Sequence, residues 1–261
     1  MTLRIALLTL ATEIFREQAD QDYVVARACY RMNLREQFLW ASLQACEKFL
    51  KAILLFNEKS ARFDPAIYDP KKERNKEFGH DAAWLLKVVK RDVPDLRLNK
   101  PDWLPNFLRY LTDFGDNRYL SKATYATGEE LRYLDEAVWL LRRVCQNFDW
   151  ARRGRNLRSD LVAAAMRPEH RKSPALYHPF GAIDGFIEKK LKATKNDPAR
   201  QALVWNNMFF SQRQRHAVSY TQYSSSANPP QTRDWFSDPA ITKKIDYFVK
   251  LPTTRKRKRV R

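Results

Sequence analysis

The strongest pattern in the chain runs from Leu34 to Asn57, LREQFLWASLQACEKFLKAILLFN. Phe38, Leu39, Ser42, Leu43, Ala45, Cys46, Phe49, Leu50, Ile53, Leu54 and Phe56 spread over about half of a helix circumference at ~100° per residue. A face that wide needs several neighbours to cover it, so the segment predicts a central helix. Its other side carries Gln44, Glu47, Lys48 and Lys51, spaced i, i+3, i+4 and i+7 and so gathered on one stripe that is placed to line a groove. Before it, Val25, Ala28, Cys29 and Met32 follow helical spacing over Ala19 to Met32, and Asn33 breaks the pattern.

Residues 58–79 hold two prolines and many charges and predict a loop. His80-Asp81 opens the next helix, to about Arg91, with Asp81 as N-cap and Lys87, Lys90 and Arg91 at the negative end of the dipole. Pro94 stops it. Leu104, Phe107, Leu108 and Leu111 mark another amphipathic helix over Trp103 to Phe114. Thr127-Gly128-Glu129-Glu130 spells a capping box, and Leu131, Leu134, Val138, Leu141, Cys145 and Phe148 follow as a packing seam. The fold class expected is therefore all-α: about five helices in an up-and-down bundle, with no strand alternation. Residues 1–150 form the bundle, 151–250 a basic, partly helical and partly irregular extension, and 251–261 a disordered basic tail. Short helices are expected at 183–193 and 199–210, although LVWNNMFF also suits a strand.

Composition narrows the function. Only 6 glycines in 261 residues argue against a β-sandwich or a phosphate-cradling α/β fold. Cys29, Cys46 and Cys145 lie far apart among apolar residues and read as core residues of a reduced, cytoplasmic protein. The start of the sequence lacks the pattern of a secretory signal, and no apolar run reaches the ~20 residues of a spanning helix, so no membrane partner is expected. The net charge of +18 is uneven. Residues 1–150 carry 24 Lys and Arg against 22 Asp and Glu, whereas 151–261 carry 24 against 8. That second part favours a polyanionic partner. Arg152, Arg153, Arg155 and Arg158 follow Trp150, and Arg213, Arg215 and His216 lie among Phe209, Phe210 and Tyr220, the mixture of cations and rings that single-stranded RNA binding uses. Trp205 and Phe210 suit packing onto the bundle instead. No metal site is expected, because the cysteines and histidines have no ligand-like spacing, and the chain has neither a nucleophile elbow nor a phosphate-binding loop. No cofactor is called for.

Three groups carry candidate chemistry. Arg74, Asn75 and His80 offer a guanidinium fork for phosphate, a polar orienting group and an imidazole that exchanges protons near neutrality. On a continuous helix six residues would set Arg74 and His80 ~240° apart, so they converge only if this stretch is a loop or works across a dimer interface. Otherwise His80-Asp81 is a helix start. The stripe of Gln44, Glu47, Lys48 and Lys51 could hold phosphate, or be a solvated face. Arg118 and Tyr119, in the loop before the last bundle helix, could bring a cation and a ring near His80, or clamp the loop.

The run ARACYRMNLREQFLWASLQACEKFLKAILLFN, followed by GHDAAWLL and DNRYL, resembles the HEPN superfamily (higher eukaryotes and prokaryotes nucleotide-binding) over roughly residues 20–148. The resemblance lies in the helix Gln44 to Ala52, the His80-Asp81 helix start and the Arg118-Tyr119 pair. It implies a small helical bundle that forms a homodimer and binds RNA or a nucleotide, with Asp81 beside the stripe in the site. Two further functions are implied: a metal-independent endoribonuclease, a toxin or stress and defence effector, using Arg74, Asn75 and His80; or a non-catalytic partner of a minimal nucleotidyltransferase. The Arg74–His80 pair departs from the family pattern in position, since it precedes the third helix rather than lying late in the bundle.

Overall fold

Helix α3 (Arg35–Phe56) is the axis of the molecule, and its wide apolar face is buried throughout. The computed structural model describes residues 2–72, 75–96, 98, 101–115, 129–148, 185–207 and 239–248. Around α3 pack α2 (Glu17–Arg31), α4 (Ala82–Asp92), α5 (Leu104–Gly115) and α6 (Glu130–Val144). Before α2 come α1 (Leu3–Thr9) and a π-helical stretch, Leu10–Arg16, which run into α2 without a break. Three short helices follow later in the chain: α7 (Phe186–Lys192), α8 (Pro198–Val204) and α9 (Pro239–Phe248). The described residues contain no strand; one isolated antiparallel bridge pairs Phe63 with Glu77.

Local chemistry fixes the helix ends. After α2 the backbone amides of Asn33 and Leu34 return to the carbonyls of Tyr30 and Cys29, with Asn33 left-handed at φ 57°. After α3 the amides of Glu58 and Lys59 bond back to Leu55 and Leu54 in the same way, with Glu58 at φ 56°. Both are Schellman stops, and the first turns α2 directly back along α3. Asp81 caps α4 as expected, its Oδ1 accepting from the Trp84 amide at 2.8 Å. Gly115 ends α5 against α3; a Cβ there would lie 2.9 Å from the Leu43 side chain and 3.1 Å from the Leu39 carbonyl.

Several expectations need correction. The first helical stretch starts at Leu3, not near Ala19, and buries Ala6, Leu7, Leu10, Ala11 and Phe15. On α2 the expected apolar positions define the inner face only in part: Cys29 is buried, but Val25 and, just past the helix end, Met32 are 51% and 36% exposed, whereas Asp20, Tyr23 and Arg27 are completely buried. Helix α6 begins at Glu130 with Glu129 at the N-cap, two residues later than the capping box predicts. The Glu130 carboxylate accepts from Arg35 Nη2 at 3.0 Å; Thr127 lies outside the described residues.

The buried polar face of α2 is covered by residues 185–207, which share the core through Ile187, Ala202 and Leu203. Arg27 pairs with Asp135 of α6, donates through Nε to the Ala202 carbonyl at 2.8 Å and through Nη2 to the Trp205 carbonyl. Tyr23 Oη donates to Asp135 at 2.7 Å and accepts from Asn207 Nδ2 at 2.7 Å. One turn away, Arg142 holds Asp20 and Glu188 through paired bonds of 2.6 to 3.0 Å. Trp205 packs against the core beneath the Arg31 guanidinium, in the docking role expected for it. These described parts of the basic extension are therefore built into the bundle by buried charge pairs as well as by apolar packing. All three cysteines are buried, and burial pushes the Cys46 and Cys145 thiols up to about 12. No described helix is long and apolar enough to cross a membrane.

Candidate functional site

The polar stripe of α3 is the one side of that helix the apolar neighbours leave uncovered, and the end of the 58–81 loop closes over it. The loop reaches that position through short-range bonds. Ser60 Oγ accepts from the amides of Arg62 and Phe63. The Phe78 amide donates to the Arg62 carbonyl at 3.0 Å, and the buried Phe78 ring meets Trp84 edge-on. Gly79 then takes a left-handed turn at φ 58°, where L side chains are disfavoured, and delivers His80 onto α3.

There His80 Nδ1 lies 2.8 Å from Glu47 Oε2. Gln44 Nε2 is 3.4 Å from the same oxygen and 3.2 Å from Nδ1. Lys51 Nζ donates to Glu47 Oε1 at 2.5 Å and to the Gly79 carbonyl at 3.1 Å, tying the loop to the helix. An ionised carboxylate only accepts, so one assignment satisfies the set: Nδ1–H, the Gln44 amide and the Lys51 ammonium all donate to Glu47. In the neutral ring the lone pair then sits on Nε2. The His80 side chain is 51% exposed, while that of Glu47 is only 5% exposed. Burial pushes the Glu47 carboxyl up, but the bonds and charges of His80 and Lys51 outweigh it and hold the group below its usual range.

Two residues not singled out in the sequence complete the cluster. Asp22 on α2 accepts from Lys48 Nζ at 2.5 Å; burial raises its carboxyl against the pull of Lys48. The Trp40 ring meets the His80 ring edge-on at 5.3 Å between centroids. Both were accessible from pattern. Trp40 lies one turn before Gln44 on the same stripe, and the tight α2–α3 turn at Asn33 sets Asp22 opposite the middle of α3. Lys48 spends one of its three donors on Asp22 and Lys51 two, so both retain hydrogen-bonding capacity toward an added anion.

Not all candidates gather here. Asn75 does not orient His80: its Oδ1 accepts from the Asp69 amide at 2.9 Å and its Nδ2 donates to the Asp69 carbonyl at 2.8 Å, which closes the 69–75 turn. Asp81 spends its carboxylate on the helix cap. Arg74, Arg118, Tyr119, Arg152, Arg153, Arg155, Arg158, Arg213 and Arg215 lie outside the described residues. Among the described residues no group of three or more His, Cys, Asp or Glu is arranged to hold a metal ion.

Fold and site together define an all-α protein that presents a carboxylate-held imidazole, two lysines and an indole on one face of a buried helix. No family model, no curated protein and no solved structure matches the chain.

Proposed function

We propose that this chain is a HEPN-like protein that binds RNA or a nucleotide over the Gln44–Glu47–Lys48–Lys51 stripe. The observation that carries the reading is the convergence of His80 on that stripe through Glu47 at 2.8 Å. A phosphate seated there meets the remaining donors of Lys48 and Lys51 and the exposed edge of the imidazole, and Trp40 offers a ring for a base. The carboxylates of Asp22 and Glu47 balance the charges of Lys48 and Lys51, so affinity rests on shared hydrogen bonds more than on net charge.

A second reading, metal-independent RNA cleavage, is favoured by the Glu47–His80 pair. A buried carboxylate on Nδ1 fixes the ring's orientation and tautomer, the arrangement of an oriented general base. Nε2 takes the 2′-hydroxyl proton, the 2′-oxygen attacks phosphorus to form a cyclic phosphate, and the 5′-oxygen leaves as an alcohol with a proton from solvent. Purified protein incubated with labelled RNA in EDTA tests both readings. Cleavage that His80→Ala lowers by ~10²–10⁴ supports the enzyme. Binding without cleavage, weakened by Lys48→Gln or Lys51→Gln, supports the binding module. Full activity in the His80→Ala protein sinks the catalytic assignment. Absence of both binding and cleavage overturns the proposal and leaves a non-catalytic nucleotidyltransferase partnership to be tested by co-purification.

A further inference from the structure

The loop that delivers His80 caps the end of α9. The last carbonyls of a helix have no partner within it. In α9 the Tyr247 carbonyl accepts from Ser60 Oγ at 2.7 Å, and the Phe248 carbonyl accepts from the Ala61 amide at 2.5 Å. Ser60 Oγ also accepts from the amides of Arg62 and Phe63, at 3.2 and 3.0 Å. One hydroxyl thus spends its donor and both lone pairs on joining the loop's first turn to the helix. Ser60, Ala61 and Phe63 are buried, the Phe63 ring meets Tyr247 at 6.4 Å, and Ile245 anchors α9 in the core, fully buried. Among the described residues, Ser60 and Ala61 make no hydrogen bond outside their own turn except to α9.

From this turn three links lead to the site. The Arg62 carbonyl accepts from the Phe78 amide at 3.0 Å, Phe63 and Glu77 form the one isolated bridge, and the Arg62 guanidinium donates to Glu77 Oε1 at 2.9 and 3.1 Å. Gly79 and His80 follow Phe78 directly. Asp64, the next residue after the turn, is fastened instead to α4, by Trp84 Nε1 at 3.1 Å and Arg91 Nη2 at 2.7 Å. The α4 grip therefore starts at Asp64, and α9 holds Ser60 and Ala61 before it.

We propose that α9 is a positioning element of the site, with Ser60 as the positioning residue. Docking of the α9 end sets the 60–63 turn, and that turn sets Phe78 and Gly79 so that His80 Nδ1 meets Glu47. Ser60 acts through Arg62, Phe63 and Phe78 rather than on the ring itself. For its functional consequence the inference rests on the site reading above. It goes beyond that reading by making the Glu47–His80 pair depend on a helix from the far end of the described chain.

The test reads the tautomer of His80 by nitrogen-15 spectra of the full chain, above the histidine titration range. The chain holds 4 histidines, and the His80→Ala spectrum identifies the ring. In the parent the proton is expected on Nδ1, as the bond to Glu47 requires. Ser60→Ala and Ile245→Ala should each move most of that signal to Nε2–H while far-UV circular dichroism is retained. Asp135→Ala, which breaks a contact shared by neither α9 nor the loop, should keep the parent signal and controls for general loss of stability. An unmoved Nδ1–H signal in both α9-side variants overturns the proposal, and so does an equal change in Asp135→Ala. Amide exchange of the parent supplies a measurement that needs no variant to fold. The Ala61 and Phe78 amides should exchange at the same rate, because coupled segments open together; unequal rates overturn the coupling. Oligouridylate binding is followed on the parent as well. No binding fails the proposed function, while the ring signal and the exchange rates still decide the role of α9.

Discussion

The Asp135→Ala substitution probes what holds residues 185–207 to the bundle. Arg27 is fully buried, and Asp135 supplies its only carboxylate among the described partners. Deleting that carboxylate leaves a guanidinium in the interior with only the Ala202 and Trp205 carbonyls, and deprives Tyr23 of its acceptor. An uncompensated buried charge of this kind costs ~3–5 kcal/mol. In a chain of this size each kcal/mol is worth ~2–4 °C, so the melting temperature should fall by roughly 6–20 °C. Arg27→Met should cost a similar amount, because it strands Asp135 and releases both carbonyls. The double variant Arg27→Met with Asp135→Leu removes both charges and should be more stable than either single variant. Urea unfolding of the four proteins gives the coupling directly from midpoints and slopes. Limited proteolysis should show earlier cutting in the 193–197 turn of Arg27→Met. Additive single costs, or a loss under ~1 kcal/mol for Asp135→Ala, would refute the clamp.

Glu47→Gln should change the pH dependence of stability. The folded carboxyl lies below its unfolded value, so its contribution is present above the unfolded value, near ~4.3, and fades as pH falls through the folded one. The stability gap between parent and variant, from urea midpoints, should therefore be widest near neutrality and narrow in acid; a constant gap counts against the Glu47–His80–Lys51 linkage. Gly115→Ala should cost ~1–3 kcal/mol, because its Cβ meets Leu43 and the Leu39 carbonyl; an unaltered melting temperature would mean α5 can move off α3. Arg16 is 9% exposed, its Nε has no hydrogen-bond partner among the described residues, its guanidinium lies 5.9 Å from the centroid of the Phe56 ring, and its charge favours the buried Asp20 carboxylate without a hydrogen bond between them. Arg16→Met should thus be close to neutral in the same assay, and a loss above ~3 kcal/mol would show that attraction to Asp20 outweighs the cost of burying the guanidinium.

Apolar period was a sound guide wherever a helix buries apolar side chains against apolar neighbours. The seam on α6 and the wide face of α3 are buried position for position. The guide worked only in part on α2, where Cys29 is buried as its spacing predicts but Val25 and Met32 are not, and Asp20, Tyr23 and Arg27 share the burial. The partners of that face come from residues 185–207, far along the chain, and match it by hydrogen bonding and charge. A scale that counts Arg and Asp as outward cannot find an interface made from them. The start of the chain is different: Leu3, Leu7, Leu10 and Ile14 already have helical spacing, so α1 and the π-helical turn were legible in the pattern.

At the site, the spacing from Arg74 to His80 does not by itself reveal what His80 touches, and Arg74 lies outside the described residues. Within that stretch Asn75 works on Asp69 and Gly79 supplies the left-handed turn, and just after it Asp81 caps a helix, so these residues serve the local fold. What changes His80 from a helix-start residue into a candidate base is a residue 33 positions away. Glu47 sits on the polar stripe of α3, and by pattern alone it reads as a solvated charge. Its burial makes that reading untenable, because a carboxylate withdrawn from water needs donors to stay ionised. The donors present are Lys51, one turn along the same helix, and His80, brought in by the loop. The lysine was legible from spacing; the histidine needed the loop closure. If the site is catalytic, its rate should respond to Glu47→Gln as well as to His80→Ala, through a shifted pH profile, whereas Asn75→Ala should act only through the stability of the loop.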